Sequence, residues 1–393
     1  MKQNAAFLVC LATLLLSACA NNNHISSVVE SSQLFTDYPF PGIAETPETP
    51  EEIFALPKHV KQELVQLVAD EYVAEQRAKA VLEYIFSSAE DGLLYDNAAT
   101  KTASETLQFG QANCLSLSIL AFSMAKELGM DASFQDVQIP EYWTNQMGQS
   151  WLNGHVNIKL KQQSLVENSI GRSLLGSDVV IDFDPDTLKK RFPEYKIGIN
   201  RVIAMFYNNK AAIAYAEKNY AQAYRYYAAA ANTDPSFAVT WSNLAILYRQ
   251  HGLYDLAEDS YKHSLAIEPD SNNTLANLAF LYRQTGNISK AEQLENRVLQ
   301  KRKNNPYYYI MLGNEALEGR ETAGAITHFK QAVTLDKTNH EAYFGLAKAH
   351  YLAGDKDQAS RFMAKAKQYA VYKQDRQRYQ QKLAVLNQTA RVH

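Results

Sequence analysis

Five alanines, Ala223, Ala257, Ala291, Ala325 and Ala359, stand 34 residues apart without a slip. No other feature of the 393-residue chain restricts its fold so tightly. A fixed period means that each unit stacks on a near-copy of itself and hides its apolar face there. Other positions keep the same register. Gly252, Gly286 and Gly354 fall where a first helix would end, Tyr248 and Tyr282 share one slot, and Tyr227, Tyr261 and Phe329 share another. Pro235 and Pro269 follow the second helix of their units. The pattern predicts one helical hairpin per unit: alanine lets two helices approach closely, and an aromatic fills the space to the next pair. The heavy use of tyrosine, 24 in all, fits such packing.

The period and the order of small, aromatic and proline positions resemble the tetratricopeptide repeat. Five units are expected over 199–374, starting near Ala204, Ala238, Asn272, Pro306 and His340, followed by a capping helix over Asp375–Asn387 within a tail of 375–393. Arrays of this family bind partners on the face formed by the first helix of each hairpin. Asn209, Asn243 and Asn277 occupy one slot of that helix in three successive units, and Arg249 and Arg283 occupy another. Asparagines in a row can hydrogen-bond a peptide backbone, and arginines beside them favour a carboxylate; equally, the asparagines can support the contact between hairpins. Tyr307, Tyr308 and Tyr309 open the fourth unit. Nine Lys/Arg against three Asp from Asp355 onward read as the solvated face of the capping helix rather than a basic patch.

The first residues read as a secretion signal. Lys2 precedes an apolar stretch, Ala5 to Leu16, that is too short to span a bilayer. It ends in Leu16-Ser17-Ala18-Cys19, which resembles the lipobox of bacterial lipoproteins. That resemblance implies a signal peptide over 1–18, lipidation at Cys19, and a polar, Pro-rich flexible tether over 19–50. Ala20 stands where an inner-membrane protein would carry Asp, so the expected site is the outer membrane, facing the periplasm. Cys10 would leave with the signal, which makes Cys114 the only thiol of the mature body and rules out an intramolecular disulfide there. A net charge of −3 speaks against nucleic acid as a partner. The expected partners are a protein or peptide in the repeat groove and a membrane through the lipid.

Between these regions, 51–198 reads as an α+β domain. From Glu51 to Phe86 apolar residues keep helical spacing, enough for two helices, and Cys114–Leu128 reads as an amphipathic helix closed by Gly129. Val156–Leu160 and Val179–Phe183 are β-branched runs that read as strands. Cys114 thus opens a helix, His155 stands at the start of one strand, and Asp182 ends another. A thiol nucleophile needs that set: an imidazole to take its proton and a carboxylate to orient the ring. These segments resemble the transglutaminase-like branch of papain-fold proteins. The resemblance implies Cys114 as nucleophile, His155 as base and Asp182 as orienting residue, with Asp184, just before Pro185, as the alternative carboxylate. Gln111 is a candidate oxyanion donor, as is the Cys114 backbone N–H. Val156 and Asn157 follow His155 where many members carry an aromatic, and no acidic cluster suggests a calcium site. Both points weaken protein crosslinking and leave a thiol amidase or acyltransferase. Such chemistry calls for no cofactor or metal.

Overall fold

The computed structural model describes residues 29–69, 74–87, 94–146, 149–161, 178–183, 192–371 and 373–390. The expected signal peptide and the lipidation site Cys19 lie outside them, as does Asp184.

Five consecutive helical hairpins fill the C-terminal half. They are α6 (Ile199–Ala216) with α7 (Tyr220–Thr233), α8 (Ala238–Gln250) with α9 (Tyr254–Ile267), and α10 (Asn272–Gln284) with α11 (Ile288–Arg302). The last two are α12 (Pro306–Glu318) with α13 (Thr322–Leu335), and α14 (His340–Leu352) with α15 (Lys356–Tyr369); α16 (Lys373–Ala390) caps the array. Four of the five units begin at the residue that the period predicts. The first starts five residues earlier than Ala204, at Ile199, because Gly198 ends the preceding strand and α6 grows directly from it. All five periodic alanines are fully buried, as close helix approach demands. Tyr248, Tyr261 and Phe329 are fully buried too. The Trp241 ring nitrogen donates to Pro235 O at 2.9 Å, so a side chain of the second unit fixes the turn that leads into it.

Each hairpin reverses through a left-handed residue. Gly252, Gly286 and Gly354 take φ of 76°, 83° and 83°. In the first and fourth units Lys218 and Arg320 occupy the same register with φ of 63° and 62°. An L side chain is strained there, by roughly 1–2 kcal/mol in the helical case. Arg320→Gly is therefore expected to raise stability by about 0.5–1 kcal/mol after the entropy of the added glycine is counted. A thermal melt of the variant that is level with or below the wild type would refute this account.

Packing is not uniform along the array. Helix contacts run continuously from α6 to α11 and again from α12 to α16, without a comparable contact between the third hairpin and the fourth. The buried side chains divide accordingly. One core joins the N-terminal domain to the first three hairpins and ends at Ala291; a second holds Ile310, Phe329, Leu346, Met363 and Tyr379 in the last two hairpins and cap.

The N-terminal domain is built around α5 (Cys114–Glu127). Three short helices precede it, α1 (Pro50–Phe54), α2 (Lys58–Leu67) and α3 (Ala74–Ser87), where the spacing suggested two. A parallel strand pair, β1 (Leu94–Tyr95) with β2 (Gln111–Ala112), flanks α4 (Ala103–Phe109). Eleven residues of α5 are buried, so it is a core helix enclosed on all sides rather than an amphipathic one. It packs on an antiparallel sheet of order β7-β6-β3-β8, made of β3 (Asp131–Val137), β6 (His155–Lys161), β7 (Val179–Ile181) and β8 (Glu194–Ile197). A separate two-stranded ribbon, β4 (Trp143–Gln146) with β5 (Gln149–Leu152), leads into β6. The runs at β6 and β7 were legible because they are β-branched; β3, β4, β5 and β8 mix polar residues with apolar ones and carry no comparable β-branched run.

The stretch expected as a flexible tether is extended, but from Val29 to Thr49 it lies docked on the array. Leu34 is fully buried after a short 3-10 turn at Ser31–Leu34, and its carbonyl accepts from Tyr248 Oη at 2.6 Å. Tyr224 Oη bonds both N and O of Thr36 at 2.8 Å, and Phe40 stacks on the Tyr224 ring at 4.9 Å. Burial alone would raise the Glu48 carboxyl, but bonds from Lys210 and Tyr226 hold it below its ordinary range. Polarity and proline content pointed to a mobile chain; the tyrosine-rich face of the first two hairpins supplies the partners that immobilise it.

Candidate functional site

Cys114 occupies the first position of α5, and Asn113 is the reason that helix starts there. The Asn113 side chain accepts from Ser116 N at 2.9 Å, and its amide donates to Thr100 Oγ1 at 2.8 Å. The N-cap is thereby tied to a second segment. At the first turn, the Cys114 N–H is one of the donors that helix geometry leaves without an intrahelical partner. Opposite, Ser118 Oγ donates to Val156 O at 3.0 Å and pins α5 to β6. His155 at the start of β6 pairs with Val137 of β3, while Ile158 pairs with Ile181 of β7, so Asp182 emerges one residue past the strand beside the imidazole.

Three residues chosen from sequence therefore meet. His155 Nε2 and Asp182 Oδ1 are 2.8 Å apart, with both side chains under 5% exposed. The Cys114 thiol lies beside the same imidazole, and its S–H is directed at Gly154 O, 3.8 Å away. With Nε2 turned to the carboxylate, Nδ1 is the ring atom left for the thiol. Burial by itself would lower the imidazole, but the bonds to Asp182 and to Cys114 outweigh it and raise His155 to about 10. Both neighbours therefore favour the protonated form of the ring.

Asn157 completes the cluster, and sequence reasoning missed it. Fully buried, it donates to Asp182 Oδ2 at 3.2 Å and to Glu194 Oε1 at 3.5 Å. One carboxylate oxygen of Asp182 is held by the asparagine while the other faces the histidine. The available signal was strand periodicity: residues two apart share a face, so whatever stood at position 157 had to lie beside His155. Gln111 does not turn freely toward the thiol, because its amide donates to Asp96 Oδ2 at 3.2 Å. The other candidate donor, the Cys114 N–H, stands at the first position of α5. Among the described residues no group of three or more His, Cys, Asp or Glu is arranged to hold a metal ion.

The repeat-face residues fare unevenly. Asn209 and Asn277 are half-buried, whereas Asn243 donates to Asn208 Oδ1 of the preceding hairpin at 3.0 Å. That contact is the inter-hairpin role weighed against peptide binding. Arg283 is engaged by Glu295 of its own hairpin, at 2.8 Å from Nε. Arg249 stacks on Phe280 at 4.4 Å. The two arginines are thus used differently: Arg283 is already paired with a carboxylate, whereas Arg249 lies over an aromatic ring. The α-helical spacing put them in one slot, but their partners come from neighbouring helices that the repeat does not copy.

Two models of the tetratricopeptide repeat match the chain, over residues 236–304 and 316–386. With the hairpin geometry, they establish the C-terminal half as a tetratricopeptide array, a scaffold for protein–protein contact. Similar solved structures include MamA, residues 41 to the end, from Desulfovibrio magneticus RS-1, at 16% identity, covering 42% of this chain and 94% of that one with a TM-score of 0.26. PilW, a widely conserved type IV pilus biogenesis factor, is similar at 20% identity over 48% of this chain and 88% of its own, TM-score 0.28. YrrB, a tetratricopeptide protein with an unusual peptide-binding site, is similar at 15% identity over 45% and 92%, TM-score 0.25. A comparison with curated proteins finds no match.

Proposed function

We propose that this chain is a bacterial envelope lipoprotein, lipidated at Cys19 and held at the outer membrane facing the periplasm. Its α+β domain is a transglutaminase-like thiol amidase or acyltransferase, and its array recruits a protein or peptide. The observation that carries the catalytic reading is the buried Cys114–His155–Asp182 cluster, with its imidazolium held by partners on both sides. In the reaction, Cys114 as thiolate attacks an amide carbonyl, and the oxyanion is met by the Cys114 N–H. The C–N bond breaks as the His155 imidazolium gives its proton to the leaving amine. The resulting thioester passes its acyl group to water or another nucleophile, whose proton returns to His155.

A second reading, a non-catalytic scaffold, draws support from the occlusion of the thiol. Cys114 is only 8% exposed and its S–H is directed at a carbonyl. One experiment separates the two. Iodoacetamide alkylation of the full chain is followed across pH by mass spectrometry of the peptide that contains Cys114, with His155→Ala beside it. The catalytic reading expects fast modification below neutrality, slowed about a hundredfold or more in the variant. Slow modification of both proteins in parallel, with the titration of an ordinary thiol near a pKa of about 8.5, would leave the scaffold.

A further inference from the structure

One slot of the repeat carries a cation in two neighbouring units, and the two cations are met differently. Tyr215, Arg249 and Arg283 stand 34 residues apart on α6, α8 and α10. Twelve residues further on, in the second helix of each unit, a second slot holds Tyr227, Tyr261 and Glu295. In the third unit the two slots meet as a bidentate ion pair, with Arg283 Nε donating to Glu295 Oε1 at 2.8 Å and the other carboxylate oxygen taken by Arg283 Nη2. In the second unit a phenol stands in place of that carboxylate. Tyr261 is fully buried and its Oη has no hydrogen-bond partner. Arg249 Nε, the atom that in Arg283 holds the carboxylate, is buried and unpartnered as well.

The surroundings of Arg249 are aromatic. Phe280 of α10 lies over the guanidinium at 4.4 Å and is itself 56% exposed. Burial pushes the Tyr261 and Tyr215 phenols up, and the charge of Arg249 opposes it in both, so both rings lie near the cation. Among the described residues no carboxylate forms an ion pair with Arg249. A ring attracts a guanidinium but offers its N–H groups no carboxylate fork. The negative end of the α8 dipole compensates the charge only in part. Buried donors without acceptors are costly, and a charged one most of all. The third unit shows which group is missing from the second: a carboxylate, which matches the guanidinium fork. Arg249 as a whole is half-buried, so an acceptor approaches it from the side of the exposed Phe280 ring.

We propose that Arg249 is a carboxylate-binding subsite of the array, occupied by an aspartate or glutamate side chain in a passing segment of the partner protein, with an apolar neighbour of that residue on Phe280. The partner's carboxylate does for Arg249 what Glu295 does for Arg283. One carboxylate is read here and not an acidic run, because the next arginine in the slot is already paired. The subsite lies on the second of five hairpins, with the first helices α6 and α10 on either side of it, so a bound chain continues past it in both directions. That position suits a side chain and not a chain terminus. The inference rests on the reading of the array as a recruiter of a protein or peptide, and it is independent of the chemistry at Cys114.

The test uses short peptides capped at both ends and randomised except at one central position, which is glutamate in one pool and glutamine in the other. Each pool is passed over the immobilised full chain at low salt, and retained peptide is counted by mass spectrometry. The glutamate pool is expected to be retained about tenfold more than the glutamine pool, the effect of one charge-assisted bidentate pair. Arg249→Met is expected to abolish the difference, whereas Arg225→Ala, which removes an exposed charge from α7, leaves it unchanged. Arg249→Gln is read in its place if Arg249→Met does not fold. Equal retention of the two pools by wild type, or a difference that survives the Arg249 substitution, overturns the subsite. A third pool keeps the central glutamine but carries a free C-terminal carboxylate; retention of that pool alone through Arg249 overturns the side-chain occupant. The same data separate the subsite from recruitment. If all pools are retained alike, the array binds peptide elsewhere and only the subsite falls; if none is retained, recruitment falls with it.

Discussion

Asp182→Asn is expected to slow Cys114 modification at neutral pH by about a hundredfold, the lower end of the loss typical of a disabled acid–base group. The amide keeps the shape of the carboxylate but not its charge, so the imidazolium loses the larger of the two bonds that raise it. The same bond has a sign in stability. A group raised on folding contributes fully below its unfolded value, and that contribution fades as pH climbs through the folded one. The variant should therefore be less stable than wild type by about 3 kcal/mol below pH about 6.5, the scale for breaking a buried pair. The two should converge above pH about 10. Denaturant melts across this range check it, and a difference that grows with pH would mean that His155 is neutral in the folded protein.

Phe329→Ala is expected to cost about 3–5 kcal/mol, the range for deleting a fully buried aromatic ring. Its ring lies against Gly313 of α12 and Gly345 of α14, so closely that a Cβ at either glycine would overlap it. One side chain thus welds two hairpins where both have given up their own. Because the second core is separate from the first, the loss should be local. Hydrogen exchange over 306–386 should quicken by several powers of ten, while 199–291 keeps its protection. A single cooperative loss of protection across all five hairpins would show that the divided core does not divide the folding unit.

The sequence by itself determined the array. A strict 34-residue period fixes which residues face inward, and burial of every periodic alanine follows from sterics that each unit repeats. Four hairpin starts fell on the predicted residue for the same reason. Cys114, His155 and Asp182 were also legible, since a helix start and two β-branched runs are local signals. Other parts were not, because their cause is non-local. Asn157 matters through two carboxylates that reach it from elsewhere in the fold. The segment before Thr49 reads as tether by composition, and only the tyrosines of α7 and α8 make it a docked strap. Arg249 and Arg283 share a slot yet meet different neighbours. The repeat says nothing of the gap between Arg302 and Pro306, where helix contacts between neighbouring hairpins thin out and Glu141, Tyr142 and Trp143 of the N-terminal domain meet Arg302, Tyr307 and Tyr308. A period encodes what each unit does to the next; an interruption filled from outside the repeat has no trace in it, and only the tertiary structure decides what stands there.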